Sequence, residues 1–311
     1  MNERDTSFLA GPDAFSEAFG EQLSSYVTER IERYAIRCRE FEQEERDHWL
    51  LRIMTTLLEH NPSRAGNARL TDWENGWNEN LEDFGREAAF TSLIPRYFGK
   101  YPAVRLNGRL VGTESPSCEY NMLAVVEDWL FDAFLREAPA IYEFGCGTGH
   151  NLLRARDVNP EARLYGCDWA GSSNRLVSAI VQSGIVQELQ SVRFDLFDPP
   201  STLKLEQNAA VYTVAALEQT GDRFGAFLDF LIENKPSVCV HIEPIAELLV
   251  PSRLLDYLCL RYFAKRNYLS GFLDELRWRE SLGQIQILKS QRSNVGSLYI
   301  EGYSAVVWKP I

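Results

Sequence analysis

The sequence is short of basic residues. Its 311 residues hold 32 lysines and arginines against 44 aspartates and glutamates, and the formal net charge at pH 7 is −12. A nucleic-acid partner is therefore not expected, because a phosphate backbone must be met by a basic surface.

Metal-binding and disulfide signatures are also missing. The four histidines form no HxxxH-type pair, and the six cysteines form no CxxC. We expect reduced, mostly buried cysteines and no metal site. The first fifteen residues lack a basic segment followed by an apolar stretch, and no run of about 18 apolar residues occurs. These absences predict a cytoplasmic protein with no membrane segment.

The chain exceeds the length of a typical single core, which rarely grows past about 250–300 residues, and two regions are expected. Residues 1–135 are predicted to form a helical cap that contacts substrate or a second subunit. Within it, residues 13–60 have helical periodicity, and a short helix begins at the capping-box pair Thr71 and Glu74. Asn107-Gly108 predicts a β-hairpin over 103–112. A further helix is expected from Ser115 to Pro139.

Residues 136–311 have a different pattern, in which predicted short strands alternate with helical stretches. The candidate strands are Ala140–Phe144, Arg163–Cys167, Ser191–Phe194, Ala209–Val214 and Ser237–Ile242. This βαβ pattern predicts a parallel sheet with helices on its faces. A long helical insertion is predicted over 245–283, followed by a terminal β-hairpin.

The stretch "IYEFGCGTGHN" (141–151) places three alternate glycines directly after the first of these strands. A strand, a glycine turn and a helix in succession can bring backbone N–H groups close to a ligand. The dinucleotide pattern GxGxxG would need a glycine where His150 stands. A Walker A loop is excluded, since no Gly-Lys-Ser/Thr follows.

The pattern Glu143-x-Gly145-x-Gly147-x-Gly149 resembles motif I of the class I S-adenosylmethionine-dependent methyltransferases. Asp168 in "RLYGCDWA", Asp195 in "VRFDLFDPP" and the "ALEQ" run (216–219) follow in the family's order. The resemblance covers about residues 140–311. It implies a doubly wound, seven-stranded, mainly parallel Rossmann-like sheet with an antiparallel terminal hairpin, after a mostly helical N-terminal region.

The same resemblance implies a cofactor site for S-adenosylmethionine. Its candidate residues are Glu143, Gly145, Cys146, Gly147, Gly149, Asp168, Trp169, Asp195 and Leu196. Asp168 would hold the ribose, and Asp195 with Leu196 would lie beside the adenine. Other interpretations stay open: Asp168 as a helix cap, Asp195 as a turn residue, Glu143 as a support of the loop, and Cys146 as packing.

Candidate catalytic residues lie where the fourth and fifth strands end. His241 could act as a general base, because an imidazole titrates near neutral pH. Glu243 could orient the substrate, and Glu218 is a further polar candidate. Each could instead be a structural side chain of the core.

For the acceptor, Arg105 and Arg109 in the hairpin could bind a phosphate or carboxylate. Ordinary surface charges would explain them as well. The aromatic residues Trp73, Trp77, Tyr97, Phe98 and Tyr101 could line an apolar pocket or simply pack in the core.

Together these features predict methyl transfer to a small molecule, in secondary-metabolite or surface-glycan biosynthesis. Two alternatives remain: a nicotinamide-dependent oxidoreductase, and a catalytically silent scaffold that serves a partner protein. A homodimer built through the N-terminal helices is a further expectation.

Overall fold

The computed structural model describes residues 6–311. Residues 1–5, on which the expectation of no leader sequence partly rests, lie outside the described part. The helices are α1 (Pro12–Phe19), α2 (Ser25–Tyr34), α3 (Gln43–Glu59), α4 (Leu70–Arg86), α5 (Phe90–Leu93), α6 (Cys118–Phe134), α7 (His150–Val158), α8 (Gly171–Ser183), α9 (Gly225–Asn234), α10 (Leu254–Arg266) and α11 (Phe272–Ser281).

The strands fall into two sheets. They are β1 (Ser7–Leu9), β2 (Arg37–Glu40), β3 (Ala103–Leu106), β4 (Arg109–Thr113), β5 (Ala140–Phe144), β6 (Arg163–Asp168), β7 (Leu189–Arg193), β8 (Ala210–Val214), β9 (Val238–Glu243), β10 (Ile285–Gln291), β11 (Val295–Gly296) and β12 (Ser304–Pro310). Short 3-10 turns occupy Asn67–Arg69, Leu217–Thr220 and Ala246–Leu248.

The larger sheet has seven strands in the order β10-β12-β9-β8-β5-β6-β7. Strands β5 to β9 run parallel, and β12 pairs antiparallel with both β9 and β10. This confirms the fold class expected from the sequence, a doubly wound sheet closed by an antiparallel hairpin. All five parallel strands lie within a few residues of their predicted positions.

The central strands β5, β8 and β9 are buried along their whole length. Their sequences are nearly continuous apolar runs, as a parallel sheet covered on both faces requires. One hydrophobic cluster lies on each side of the sheet, with Phe131 and Tyr212 in the first and Phe227 and Trp308 in the second.

The smaller, antiparallel sheet has the order β1-β2-β4-β3-β11. Its hairpin confirms the predicted turn, since Asn107 and Gly108 have φ values of 50° and 72°. The prediction of helix throughout 13–60 was wrong, because β2 interrupts it. Ala35, with φ of 45°, ends α2 in the left-handed conformation, and the following residues pair with β4.

Three further helix predictions need correction. Helix α4 begins at Leu70, so Thr71 is inside it rather than at its cap. Helix α6 begins at Cys118, three residues after Ser115, and ends at Phe134. The 245–283 segment is two helices, α10 and α11, after a 3-10 turn. Over residues 6–311, no helix combines the length and apolarity needed to cross a bilayer.

Candidate cofactor and substrate site

A pocket with about 910 Å³ of empty space, open mouth included, lies where strands β5 to β8 end. Ligand crevices in doubly wound sheets occur at this carboxyl edge. The lining residues are Trp73, Trp77, Pro95, Tyr97, Phe98, Leu123, Gly145, Cys146, Gly147, Thr148, His150, Asn151, Asp168, Trp169, Phe194, Asp195, Leu196, Phe197, Val214, Ala215, Ala216, Gln219, Thr220 and Tyr303.

The glycine loop after β5 forms one wall. Gly145, Gly147 and Gly149 all have positive φ, at 77°, 53° and 78°. A β-carbon on Gly145 would lie 2.4 Å from the β-carbon of Ala216, and one on Gly147 would lie 3.0 Å from Cζ2 of Trp77. Both conformation and space therefore require glycine at the first two positions.

Asp168 ends β6 and faces this loop. One carboxylate oxygen accepts the N–H of Gly147 at 2.9 Å, and the other accepts the N–H of Ala170 at 2.7 Å. Burial raises the pKa of the carboxyl group to about 6. A carboxylate oxygen has more than one lone pair, so each oxygen can still accept a bond from a ligand hydroxyl. The bond to Ala170, the residue before α8, agrees in part with the alternative interpretation of Asp168 as a helix cap.

Two carboxylates and three apolar side chains form what we call the acidic end of the pocket, made of Asp168, Trp169, Asp195, Leu196 and Phe197. The rings of Trp169 and Phe197 lie 5.8 Å apart. Asp195 Oδ1 accepts the N–H of Phe197 at 2.9 Å, so Asp195 also serves the turn that the sequence suggested as its alternative role.

Glu143 lies behind the loop and is not among the lining residues. Its carboxyl group accepts hydrogen bonds from Asn151 Nδ2 at 2.8 Å and from the Tyr212 hydroxyl at 3.0 Å. Complete burial raises its pKa well above the usual range. The expectation that Glu143 contacts the cofactor directly is corrected: it supports the loop helix through Asn151, which does line the pocket.

His150 opens α7 and also lines the pocket. Its Nδ1 shares a hydrogen bond of 2.8 Å with the Thr148 hydroxyl. Its Nε2 is buried without a hydrogen-bond partner among the described residues. Burial, with a further contribution from the Arg154 cation, lowers the imidazole pKa to about 3. At neutral pH the ring is therefore uncharged.

A further part of the lining, which we call the aromatic end, consists of Pro95, Tyr97, Phe98 and Leu123 from the N-terminal region together with His150 and Tyr303 from the sheet region. The Tyr97 and Phe98 rings lie 4.7 Å apart. Tyr120, behind this wall, lies 5.3 Å from the Phe98 ring and 5.7 Å from the His150 ring. The predicted pocket role of Trp73, Trp77, Tyr97 and Phe98 agrees with their positions, whereas Tyr101 is outside the lining.

Helix α4 contributes Trp73 and Trp77 to the lining of the pocket. Its Trp73 and Trp77 rings stack at 5.2 Å. Glu74 on the same helix accepts the N–H of Ser172 at 3.1 Å and pairs with Arg175 at 3.0 Å. The carboxylate thus sits at the N-terminus of α8, where the helix dipole favours negative charge.

His241 lies in the core, away from the pocket. It is completely buried, and Trp308 Nε1 donates to its Nε2 at 2.9 Å while Thr213 engages its Nδ1 at 3.0 Å. Burial lowers its pKa to about 3. With both ring nitrogens occupied, His241 has no free atom for a substrate. His241 is therefore not the general base that the sequence suggested.

Glu243 and Glu218 also stay outside the lining. Glu243 accepts the backbone N–H groups of Ala216, Leu217 and Glu218 at 2.9 to 3.2 Å, and so fixes the loop after β8. Burial raises its pKa to about 7 and that of Glu218 to about 8. The role expected of Glu243 is corrected, since it shapes the wall that carries Ala216. The role expected of Glu218, which accepts a hydrogen bond from the lining residue Gln219, stays a prediction.

Arg105 and Arg109 do not reach the pocket either. Arg105 is buried and donates to the carbonyl oxygens of Leu255, Leu298 and Tyr299. Arg109 is exposed and pairs with Glu40 at 2.9 Å. Their expected role in binding an anionic acceptor is corrected. Arg105 attaches the smaller sheet to α10, and Arg109 pairs with Glu40 of β2, a strand of the same sheet.

The cysteine side chains lie in the core of the protein. The six cysteines are free and buried. Cys146 lines the pocket, and its Sγ lies 3.5 Å from the Ser173 hydroxyl. Within the described chain, no group of three or more His, Cys, Asp or Glu side chains is arranged to hold a metal ion.

Sequence reasoning missed several lining residues. Asn151 could have been found, since it directly follows the quoted glycine stretch. Tyr303 and Leu123 had no local signal. Tyr303 directly precedes β12, and Leu123 is one of a run of apolar residues in α6. Phe197 stands two residues after Asp195, but nothing in the sequence distinguished it from a core residue.

Comparison with known proteins gives a mixed result. No family model and no curated protein matches the sequence. Similar solved structures include an O-methyltransferase from neocarzinostatin biosynthesis, bound to S-adenosylmethionine and 2-hydroxy-5-methyl naphthoic acid. It is 15% identical with a TM-score of 0.44, and the alignment covers 78% of this chain and 70% of that one.

A methyltransferase from Aquifex aeolicus is 14% identical with a TM-score of 0.46, covering 64% of this chain and 95% of that one. Human N-acetylserotonin methyltransferase is 15% identical with a TM-score of 0.41, covering 78% and 65%. At such identities and scores the function must be argued from this chain's own residues. Fold and pocket together define a Rossmann-like α/β protein with a crevice at the carboxyl edge of its larger sheet.

Proposed function

We propose that the protein transfers the methyl group of S-adenosylmethionine to a small-molecule acceptor. The observation that carries the proposal is the pairing of Asp168 with the glycine loop. Its carboxylate fixes Gly147 at 2.9 Å and lines the same pocket as the three glycines. This joins the two most specific sequence signals in one site.

The residues present fit this cofactor. Asp168 has free lone pairs for two ribose hydroxyls, and Trp169, Leu196 and Phe197 offer flat apolar surface for an adenine. Asn151 Oδ1 is buried without a partner among the described residues, and such an acceptor suits the ammonium of the methionine end. The cofactor supplies an activated methyl group on a sulfonium; the chain binds, aligns and excludes water.

A small acceptor is favoured by the residues that the N-terminal region adds to the pocket. Trp73 and Trp77 of α4 line it together with Pro95, Tyr97 and Phe98, and concave sites with a mostly apolar lining suit small molecules. Secondary-metabolite or surface-glycan biosynthesis remains the proposed setting. The cytoplasmic location and the homodimer stay predictions.

Calorimetric titration with S-adenosylmethionine, S-adenosylhomocysteine and NADH tests the proposal. The variant Asp168→Ala is compared with Asp198→Ala, a nearby turn carboxylate that does not line the pocket. Loss of a bond to a charged group costs about 1.5–3 kcal/mol, which is roughly one to two decades of affinity.

Binding of both adenosyl ligands, weakened by Asp168→Ala and not by Asp198→Ala, supports the proposal. Binding of NADH in their place favours the oxidoreductase alternative. Adenosyl binding together with a stable complex with a partner protein, and no methyl transfer to any acceptor tried, favours the silent scaffold.

A further inference from the structure

The aromatic end of the pocket carries little charge. Among the described residues that line the pocket, none is lysine or arginine, and the two carboxylates, Asp168 and Asp195, belong to the acidic end. An anionic acceptor would have to leave water without a cation from the protein to receive it, which is costly.

The guanidinium groups of Arg154, behind His150, and of Arg69, beside Trp73, are already engaged. Arg154, one turn after His150, is buried and pairs with Glu127 at 3.1 Å, and its Nη1 lies 3.7 Å from Asp128. Arg69 lies over the Trp73 ring at 4.5 Å and pairs with Asp72 at 3.3 Å. Neither is among the lining residues, so neither offers a free cation to a substrate.

One polar atom at this end is left over. Nε2 of His150 is buried without a partner among the described residues, and only 5% of the residue's surface is exposed. Buried polar groups in native proteins nearly always have a partner, so an unpaired one on a pocket wall indicates a ligand atom. Because Thr148 can donate to or accept from Nδ1, Nε2 can be acceptor or donor, and a hydroxyl group satisfies either tautomer.

We propose that the acceptor is an uncharged, ring-bearing hydroxyl compound. Its ring lies against Tyr97, Phe98 and Tyr303, and its hydroxyl bonds to Nε2 of His150. The inference rests on the proposed function, since it assigns to the acceptor the end of the pocket that a bound nucleoside leaves free.

The test uses the wild-type protein saturated with S-adenosylhomocysteine and three matched probes: 4-methylphenol, 4-methylbenzoate and toluene. Calorimetry should show that the phenol binds and that the benzoate binds at least about tenfold more weakly. His150→Phe should weaken the phenol about three- to tenfold and leave toluene unchanged, because only the phenol loses a hydrogen bond.

His150→Gln, which keeps a hydrogen-bonding group, should retain most of the phenol affinity. Tyr97→Ala provides a second variant at a half-exposed position that tolerates truncation. It should weaken the phenol and toluene alike, since it removes ring contact rather than a hydrogen bond.

The inference is overturned if the benzoate binds as well as the phenol, if no probe binds, or if His150→Phe weakens S-adenosylhomocysteine instead of the phenol. The proposed function is tested separately by the first titration. If S-adenosylhomocysteine does not bind the wild type at all, the proposed function fails; if it binds and the probes behave otherwise, only this inference fails.

Discussion

The side-chain amide of Asn151 donates a 2.8 Å hydrogen bond to Glu143. This bond leaves the amide oxygen of a pocket-lining residue buried and without a partner among the described residues. Glu143, the acidic residue of the glycine motif, therefore affects the pocket only indirectly. It orients Asn151, and Asn151 offers its oxygen to a ligand.

If Asn151 holds the ammonium of the cofactor, Asn151→Ala should weaken S-adenosylhomocysteine binding about tenfold, the cost of one hydrogen bond to a charged group. Asn159→Ala is the matched control. Asn159 is an equally buried asparagine at the other end of α7, and its amide bonds the carbonyl oxygens of Leu135 and Ala138.

The control variant should lose stability and keep its affinity. Calorimetry and thermal unfolding of both variants would show this. Equal affinities for wild type and Asn151→Ala would remove Asn151 from the site.

The contact between Gly145 and Ala216 gives a stability prediction. Gly145 and Gly184 share a φ of 77°, but a β-carbon on Gly184 meets nothing within 4 Å. Gly184→Ala should therefore cost only the left-handed backbone, about 1–2 kcal/mol. Gly145→Ala should cost about 1–3 kcal/mol more from overpacking against Ala216.

Urea unfolding of both variants measures the difference. Adding Ala216→Gly should restore part of the loss in Gly145→Ala and none in Gly184→Ala. If the two single variants lose the same stability, the loop does not approach Ala216 as described.

Cofactor affinity should depend on pH through Asp168. Its pKa of about 6 in the free protein means that the carboxyl group is protonated below that pH. Because two hydroxyl donors favour the ionised form, affinity should fall as pH decreases through 6, by roughly tenfold at one pH unit below the pKa.

Calorimetry with S-adenosylhomocysteine from pH 4.5 to 8 measures this dependence. In Asp168→Asn, which cannot ionise, the binding should be weaker at pH 8 and nearly flat across the range. A wild-type profile that is flat between pH 5 and 7 would contradict the assigned role.

Helix α4 should control the rate at which the ligand leaves. Glu74 ties this helix to α8, so Glu74→Ala should raise the dissociation rate of S-adenosylhomocysteine about two- to fivefold, as expected for a partly exposed pair. Glu82→Ala, on the same helix, removes only an exposed pair with Arg86 and is the control.

Stopped-flow tryptophan fluorescence can follow the release, since Trp73 and Trp77 line the pocket. Identical dissociation rates in the two variants would show that the contact of Glu74 with α8 does not slow the release of the ligand.

The glycine loop and Asp168 could be placed together from the sequence because their signals are local. Gly145, Gly147 and Gly149 follow a strand without interruption, and Asp168 ends the next strand. Parallel neighbours bring such ends together at one edge of a sheet, so sequence order alone was enough to place them in one crevice.

The catalytic candidates failed for a reason that the sequence does not contain. In β9 every residue from Val238 to Glu243 is buried, so alternation could not tell which side chain faces the crevice. His241 is unavailable to a substrate because its Nε2 bonds to Trp308, a residue 67 positions away that contacts it only in the folded sheet.

The contacts of Arg105 also could not be predicted from the sequence. Arg105 is surrounded by carbonyl oxygens from residues about 150 and 193 positions further along the chain, and no local pattern announces such contacts. Likewise, β2 has helix-like neighbours in the sequence and forms a strand by pairing with β1 on one side and β4 on the other.

The most direct test of the central claim is a crystal structure of the protein with S-adenosylhomocysteine. The account predicts the ribose hydroxyls within hydrogen-bond distance of Asp168, the adenine against Trp169, Leu196 and Phe197, and the sulfur near the glycine loop. Adenosine bound elsewhere on the molecule, or in this pocket with its ribose away from Asp168, would contradict it.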